Sequence, residues 1–416
     1  MGSKADLIEI TDLEHPRMPA EVLPLIEGMA AFAADHPLDS AALHTRATAE
    51  TGLSDFGATD YRERLDVLLA ALRDVPGLTP GGQVSFHIQL TQMLKNRLLL
   101  TELLRAHPEI ATIEIARPII IAGLPRTGTT HLHQLLAADP SLRSLPYWES
   151  LEPIPLAAET GVDPDPRIVR TDGAVAVMNL AIPYFPLMHE MSDAWHVHEE
   201  IQLLAVDFST MYFETMALVP AWAAYYQSHD QTPHYAYLKV LLQALQHLRG
   251  GTRWVLKTPQ HMEQLPVLRA VFPDATYVIT HRDPVDVTVS LAYMLAYTAR
   301  MHQDPVDPFA IGRFWADRLE GMLNQCVRDR DVLPADQSID VVFNEFMRDD
   351  LAMVRRICDL AGHALTADAD AAIAAYLAGH ARGRLGRVAY RPEDVGLDRE
   401  DLRRRFRPYV ERFLPG

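Results

Sequence analysis

The sequence predicts an α/β fold of three layers, in which helices cover both faces of a central parallel sheet and a mostly helical region comes first. Beyond residue 118, four short apolar segments are each followed by a segment with helical periodicity. Such alternation of strand and helix is typical of a parallel sheet with helices on both sides. The predicted strands are 119–122, 253–256, 276–280 and 339–343.

The first part of the chain is predicted to be helical, because apolar residues recur with helical spacing at 20–34, 60–74 and 83–106. We therefore divide the chain into a helical N-terminal region, 1–112, acting as a cap or interface, and an α/β domain, 113–416. Within that domain, the Met- and aromatic-rich segment around 175–226 is predicted to be a helical insertion that forms a substrate pocket. A chain of 416 residues with 48% hydrophobic content can bury a large core.

The amino-acid composition of the chain disfavours some classes of binding partner. The chain has 38 Lys and Arg against 55 Asp and Glu, and its net charge of −17 disfavours nucleic acids and anionic membranes. Two cysteines, Cys326 and Cys358, are too few for a disulfide framework, so we expect a cytoplasmic protein. The most apolar stretch, 201–225, contains Asp207 and Glu214, and no membrane span is predicted. The sequence does not decide the oligomeric state, and a homodimer remains open.

Residues 118–131 have the pattern of a buried strand, a phosphate-cradling loop and the start of a helix. Gly123 and Gly128 have the spacing of a nucleotide P-loop, but Thr129 stands where an ATPase or GTPase has its lysine. Arg126 supplies a cation instead. Free amides at a helix start bind anions, so we predict a P-loop-like fold with an anion site at Pro125, Arg126, Thr127, Gly128, Thr129 and Thr130.

This loop resembles the 5′-phosphosulfate loop of the sulfotransferase family, whose donor is 3′-phosphoadenylyl sulfate (PAPS). Segments 254–259 and 275–284 also resemble the family's motifs, in the right order. The resemblance implies that Arg282 and Ser290, eight residues apart, grip the 3′-phosphate, and that Arg384 closes over it from a C-terminal loop. It also implies PAPS as co-substrate and no required metal.

The resemblance assigns the catalytic groups as well. Lys257 corresponds to the lysine on the sulfate side of the donor, and Arg126 is expected to stabilise charge on the transferred group. The general base is ambiguous. Glu149, which follows the loop helix, is preferred, and His261, four residues after Lys257, is its rival.

A polar cluster is embedded in the insertion, formed by His189, Glu190, His196, His198, Glu199 and Glu200. A metal site is the least favoured interpretation, because alternate residues on a helix face different ways. An acceptor pocket and ordinary core remain equally open, and the proposed pocket walls are Tyr184, Phe185, Met188, Trp195, Phe208, Met211, Tyr212 and Phe213. The apolar bias of the segment favours a hydrophobic alcohol or phenol as acceptor.

The sequence therefore predicts a PAPS-dependent sulfotransferase that acts on a hydroxyl of an apolar small molecule. Two alternatives are a P-loop-type small-molecule kinase using ATP and a non-catalytic nucleotide-binding protein. The kinase would need a loop lysine and an acidic residue that holds magnesium, and Thr129 weighs against it.

Overall fold

The central sheet has four parallel strands in the order β3-β2-β4-β5. The computed structural model describes residues 7–380 and 386–415. The sheet strands are β2 (Ile119–Ala122), β3 (Val255–Lys257), β4 (Thr276–His281) and β5 (Ser338–Val342). All four lie within one or two residues of the predicted segments, and the predicted α/β class is confirmed. Because the strands are parallel, their carboxyl ends share one edge, where sites in such folds lie.

The N-terminal helices are α1 (Leu23–Ala31), α2 (Ser40–Thr51), α3 (Tyr61–Arg73) and α4 (Pro80–Ala106). Local sequence explains their starts. The Asp39 carboxylate accepts from the amide of Ala42 and caps α2, and the Thr79 hydroxyl caps α4 just before Pro80. The region also contains a strand that was not predicted, β1 (Leu7–Ile8), which pairs in parallel with β6 (Arg387–Val388).

Sixteen more helices follow in the described ranges. They are α5 (Thr129–Ala137), α6 (Tyr147–Leu151), α7 (Pro166–Ala181), α8 (Phe185–Met188), α9 (Ile201–Ala205), α10 (Tyr212–Met216), α11 (Pro220–Gln227), α12 (Thr232–Arg249), α13 (Leu265–Val271), α14 (Pro284–Thr298), α15 (Pro308–Asp329), α16 (Phe343–Phe346), α17 (Asp350–Leu360), α18 (Ala367–Gly379), α19 (Arg399–Arg405) and α20 (Arg407–Phe413). The predicted insertion is helical but broken into short pieces. Among the described residues, none of the helices is both long and apolar enough to cross a bilayer.

The three layers follow from the alternation of side chains along each strand. Ile119 and Ile121 of β2 belong to a core cluster that includes residues of α5, α17 and α18. Ile120 and Ala122 point to the opposite face and join a larger cluster with residues of α12, α14 and α15. That larger cluster also contains Leu65 of α3 and Leu90 of α4, so the N-terminal helices share the main core.

A buried carboxylate fastens the N-terminal helices to the insertion. Asp207 accepts from Arg97 of α4 at 2.7 Å, from Arg64 of α3 at 3.0 Å and from His234 of α12 at 2.6 Å. Burial alone would raise the pKa of Asp207, but the His234 hydrogen bond and the two arginines outweigh burial and hold it below its usual range. The carboxylate is therefore ionised and joins three helices through charge-assisted bonds.

Replacing Asp207 by alanine is expected to lower the free energy of unfolding by about 3–5 kcal/mol, because it leaves Arg97, 1% exposed, as an uncompensated buried charge. Urea denaturation followed by circular dichroism measures the loss. Asp60 is the matched control: its carboxylate also pairs with Arg64, at 2.8 Å, but is 62% exposed, so Asp60→Ala should cost below about 1 kcal/mol. Equal losses in the two variants would contradict this account of Asp207.

Candidate functional site

A cavity of about 550 Å³ opens at the carboxyl edge of the sheet. Segments that follow three of the strands contribute to it: the loop after β2 with Arg126, the start of the segment after β4 with Arg282, and Phe343 after β5. The segment 186–190 and helix α18 close its other sides. The cavity thus lies where a parallel sheet is expected to bind a ligand.

The loop after β2 is shaped as an anion cradle. Arg126 and Gly128 adopt left-handed backbone conformations, with φ of 69° and 85°, and α5 begins at the next residue. The Thr127 hydroxyl donates to the carbonyl of Leu124 at 2.6 Å and lies 2.8 Å from the Thr280 hydroxyl, which fixes the loop against β4. The first amides of α5 have no partner within their own helix and carry the positive end of its dipole. They are therefore available to an anion.

Gly123 and Gly128 have no side chain, which lets the loop lie close to Thr280 of β4 and to the Phe343 ring of α16. A Cβ on Gly123 would lie 1.9 Å from the Thr280 hydroxyl oxygen, so any other residue there would force the Thr280 side chain to move. A Cβ on Gly128 would lie 3.1 Å from the Phe343 ring, in addition to the strain of its positive φ. The predicted glycine spacing thus has a steric cause in this structure.

The structure brings Arg126, Arg282 and Ser290 together. Arg126 Nε donates to Ser290 Oγ at 3.0 Å, and Arg282 Nη1 donates to the Arg126 carbonyl at 2.5 Å. The Arg282 guanidinium also lies 4.2 Å from the centroid of the Phe343 ring. Burial, and then the charge of Arg126, lowers the pKa of Arg282. Two cations that repel each other inside one cavity favour an anionic ligand between them.

Lys257 stands at the carboxyl end of β3, opposite Ile121 of β2. Its ammonium group pairs with the Glu199 carboxylate and lies 3.5 Å from the Thr130 hydroxyl at the start of α5. Its backbone amide donates to the Glu200 carboxylate at 2.9 Å. Two consecutive carboxylates therefore hold the same residue, one by its side chain and the other by its backbone. Glu199 also lines the cavity.

His261 lies behind this arrangement and is fully buried. Its Nε2 is 2.5 Å from the Glu200 carboxylate, and its Nδ1 is 2.9 Å from the Tyr235 hydroxyl. Burial alone would raise the pKa of Glu200, but the charge and hydrogen bond of His261 and the amide of Lys257 outweigh it and lower that pKa. Both ring nitrogens of His261 are occupied, and the ring does not line the cavity.

Glu149 lies away from the cavity, in α6. Its buried carboxylate accepts from Arg143 at 2.6 Å and from Arg249 at 3.1 Å. Arg143 runs alongside Trp254, at the amino end of β3, whereas the loop and Lys257 are at the carboxyl ends. The structure does not bring the preferred base to the anion loop, and its geometry argues for an ion pair that supports the fold.

The histidines of the insertion are neutral. Burial lowers the pKa of His189 to about 3 and that of His196 to about 4, and the charge of Lys257 adds to both shifts. His189 lines the cavity, stacked on Phe185 at 5.6 Å between ring centroids. Within the described part of the chain, donor atoms from three of these histidines and their neighbouring carboxylates do not gather within 4.8 Å of one another, which disfavours the metal interpretation.

The structure does not bring the predicted pocket walls together into one surface, and two of them, Tyr184 and Trp195, are exposed. Met188 lines the cavity, next to Pro186 and Leu187, whereas Phe208 and Phe213 are buried core under the N-terminal helices. Arg384 falls outside the described residues, although Gly386 and Arg387, just after it, line the cavity.

Several cavity residues, among them Phe343, Tyr376 and His380, were not singled out as site residues from the sequence. Tyr376 and His380 of the α18 region are 4.1 Å apart between stacked ring centroids. Phe343 is the last residue of the predicted strand 339–343, which is a usable signal because the carboxyl ends of parallel strands share one edge of the sheet. Tyr376 and His380 carry no comparable signal in the sequence.

Comparisons with known proteins agree with this geometry. A family model described as the sulfotransferase family matches residues 118–367. The structure is similar to that of sulfotransferase STF9 from Mycobacterium avium, at 29% identity and a TM-score of 0.81, covering 91% of this chain and 98% of that one. It is also similar to sulfotransferase STF1 from Mycobacterium tuberculosis H37Rv, at 30% identity and a TM-score of 0.77, covering 88% and 98%. The comparison with curated proteins gives no match.

Proposed function

Because the chain belongs to the sulfotransferase family, we propose that it moves a sulfuryl group from PAPS to a hydroxyl group of an apolar small molecule, an alcohol or a phenol. The observation that carries the proposal is the meeting of Arg126 and Arg282 in the wall of one cavity, with buried Lys257 behind that wall, in contact with Thr130 and Glu199, which line it. These cations suit a donor with an anionic group at each end of a nucleoside.

The two ends of the donor would take different residues. The 5′-phosphosulfate suits the loop 125–130, where the helix amides and Arg126 meet. The 3′-phosphate suits Arg282 and Ser290, which offer a guanidinium and a hydroxyl. Phe343, stacked on Arg282, offers an apolar ring between the two ends.

Sulfuryl transfer breaks the bond from sulfur to the bridging oxygen of the donor and forms a bond from sulfur to the acceptor oxygen. Negative charge grows on the bridging oxygen, which leaves with the 5′-phosphate. Lys257, next to Thr130 at the start of α5, would stabilise that oxygen. Arg126 and the loop amides would stabilise the oxygens of the transferred group.

The acceptor hydroxyl must lose its proton, and we assign the base to Glu199. Glu199 lines the cavity beside Lys257, whereas Glu149 and His261 do not line it. In the structure Glu199 holds the ammonium of Lys257. An anionic donor would compete for that ammonium and leave the carboxylate free to accept the proton.

Apolar side chains form part of the cavity wall: Pro186, Leu187, Met188, Met294 and Met347. The neutral His189 follows Met188 in that wall, and its Nδ1 has no hydrogen-bond partner among the described residues. A hydroxyl on an otherwise apolar molecule would satisfy that nitrogen while burying apolar surface.

A cytoplasmic location and a homodimer remain part of the proposal. The cytoplasmic location is consistent with the free thiols of Cys326 and Cys358.

Calorimetry with adenosine 3′,5′-bisphosphate, the desulfated donor, tests the proposal against the kinase alternative. We expect binding at least about tenfold tighter than that of ATP, without need of magnesium, because the cavity offers cations rather than a magnesium-holding carboxylate next to a loop lysine. Magnesium-dependent preference for ATP would contradict it. Sulfate transfer from PAPS to phenols, sterols and long-chain alcohols then separates an enzyme from a non-catalytic binding protein.

A further inference from the structure

Two histidines and a carboxylate meet where two long helices end. His107 is the C-terminal cap of α4, His247 lies in the last turn of α12, and Glu109 belongs to the short turn Pro108–Thr112. One donor atom from each lies within 4.8 Å of the other two. Within residues 7–380 and 386–415, this is the one group of three or more His, Cys, Asp or Glu side chains with that property.

The spacing suits a single metal ion. Ligand atoms bound to a tetrahedral zinc at about 2.0–2.2 Å are about 3.3–3.5 Å from one another. His107 Nδ1 is already 3.0 Å from Glu109 Oε1, and the ring centroids of His107 and His247 are 4.9 Å apart. The ligand atom of His247 lies within 4.8 Å of those of His107 and Glu109, which is close to the spacing around one ion.

The backbones that carry these side chains are fixed relative to each other. The Gln243 side chain of α12 donates to the carbonyl of Ile113 at 2.7 Å, and that of Gln246 donates to the carbonyl of Glu114 at 3.4 Å. Both bonds join α12 to the segment that follows Glu109. A metal ion would therefore meet ligands that are already close, at a small cost in ordering.

The local field favours a cation. The carboxyl ends of α4 and α12 both lie here, and each carries the negative end of a helix dipole. Two imidazoles and a carboxylate are a ligand set preferred by zinc and its neighbours among the transition metals.

We propose that His107, Glu109 and His247 bind one divalent transition-metal ion of the zinc class, with water as a further ligand. None of the three residues lines the cavity at the sheet edge, so the ion would be structural. It would join the end of the N-terminal helical region to α12. This site is independent of the proposed function.

Calorimetric titration of the untagged, chelator-treated chain with Zn²⁺ tests the site. We expect uptake of one equivalent, weakened at least about tenfold by either His247→Ala or His107→Ala. His15→Ala, at an exposed histidine outside the group, is the matched control and should bind as the unchanged chain does. Zn²⁺ should also raise Tm by a few degrees in the unchanged chain but not in His247→Ala.

Cobalt gives a second readout that separates specific from diffuse binding. Co²⁺ in a site with two imidazoles and a carboxylate should give visible absorption that His247→Ala abolishes. Weak uptake that is the same in His247→Ala and the unchanged chain would mean that the acidic surface attracts the ion, and it would overturn the proposal. Absence of saturable uptake would overturn it as well. Circular dichroism of each variant verifies that it is folded.

Discussion

Replacing Lys257 by alanine is expected to lower kcat for sulfate transfer by about 10²–10³-fold, while adenosine 3′,5′-bisphosphate binds nearly as well as before. The reason is the role proposed for Lys257, which would act on the bridging oxygen, where negative charge grows only as the bond to sulfur breaks. The desulfated product has no such bond, and under the same proposal its phosphates would be held by the loop and by Arg282. Turnover at saturating PAPS and calorimetry with the product measure the two effects separately.

Lys239→Ala is the matched control for this variant. Lys239 lies on α12, its ammonium donates to the carbonyl of Val271 at 3.4 Å, and it does not line the cavity. The control should keep normal turnover. A Lys257→Ala enzyme with kcat within about threefold of the unchanged enzyme would remove Lys257 from the chemistry.

The second large effect is expected for Glu199→Gln, which should lower kcat by about 10²–10⁴-fold because an amide cannot accept the acceptor's proton. Glutamine keeps the size and can still accept a hydrogen bond from Lys257, so binding of the desulfated donor should change little. Single-turnover rates with PAPS and a phenol acceptor measure the chemical step directly.

Glu149→Gln is the informative comparison. Glu149 pairs with Arg143 and Arg249 away from the cavity, so this variant should keep kcat near normal but lose about 1–3 kcal/mol of folding stability. Turnover and urea denaturation are measured for both Glu149→Gln and Glu199→Gln, so that the effect of each variant on kcat is separated from its effect on stability. A hundredfold loss of kcat in Glu149→Gln, with stability intact and Glu199→Gln active, would return the role of base to Glu149.

Much of the donor half of the site follows from local sequence. A run of isoleucines between Pro118 and Gly123 gives a fully buried strand. The glycines and threonines after it give the turn and the helix start. Arg282 follows the next strand of the sheet, so any parallel arrangement brings it to the same edge as Arg126. Ser290 reaches the same place because it lies two turns along α14, eight residues after Arg282.

The acceptor half depends on the path of the chain, which the sequence does not reveal. Glu149 and Glu199 both lie in mixed apolar and polar surroundings, and only the three-dimensional path separates them. Arg143 pairs beside Trp254 and draws Glu149 to the amino end of β3. The irregular segment before α9 instead turns Glu199 and Glu200 onto Lys257. No periodicity marks such a segment.

The two-stranded sheet formed by β1 and β6 could not be predicted from the sequence. Each strand has two residues, and Leu7 pairs with Arg387, almost the whole chain away. A strand of that length has no alternating pattern to detect. The ends of β3 and β4 were also extended by one residue, because Lys257 and His281 continue the backbone pairing past the apolar run.

The most direct test of the donor site is a crystal structure of the chain with adenosine 3′,5′-bisphosphate. We expect one nucleotide in the cavity, with its 5′-phosphate on the amides of the loop 125–130 and its 3′-phosphate on Arg282 and Ser290. A nucleotide bound elsewhere, or one whose 3′-phosphate lies away from Arg282, would contradict it.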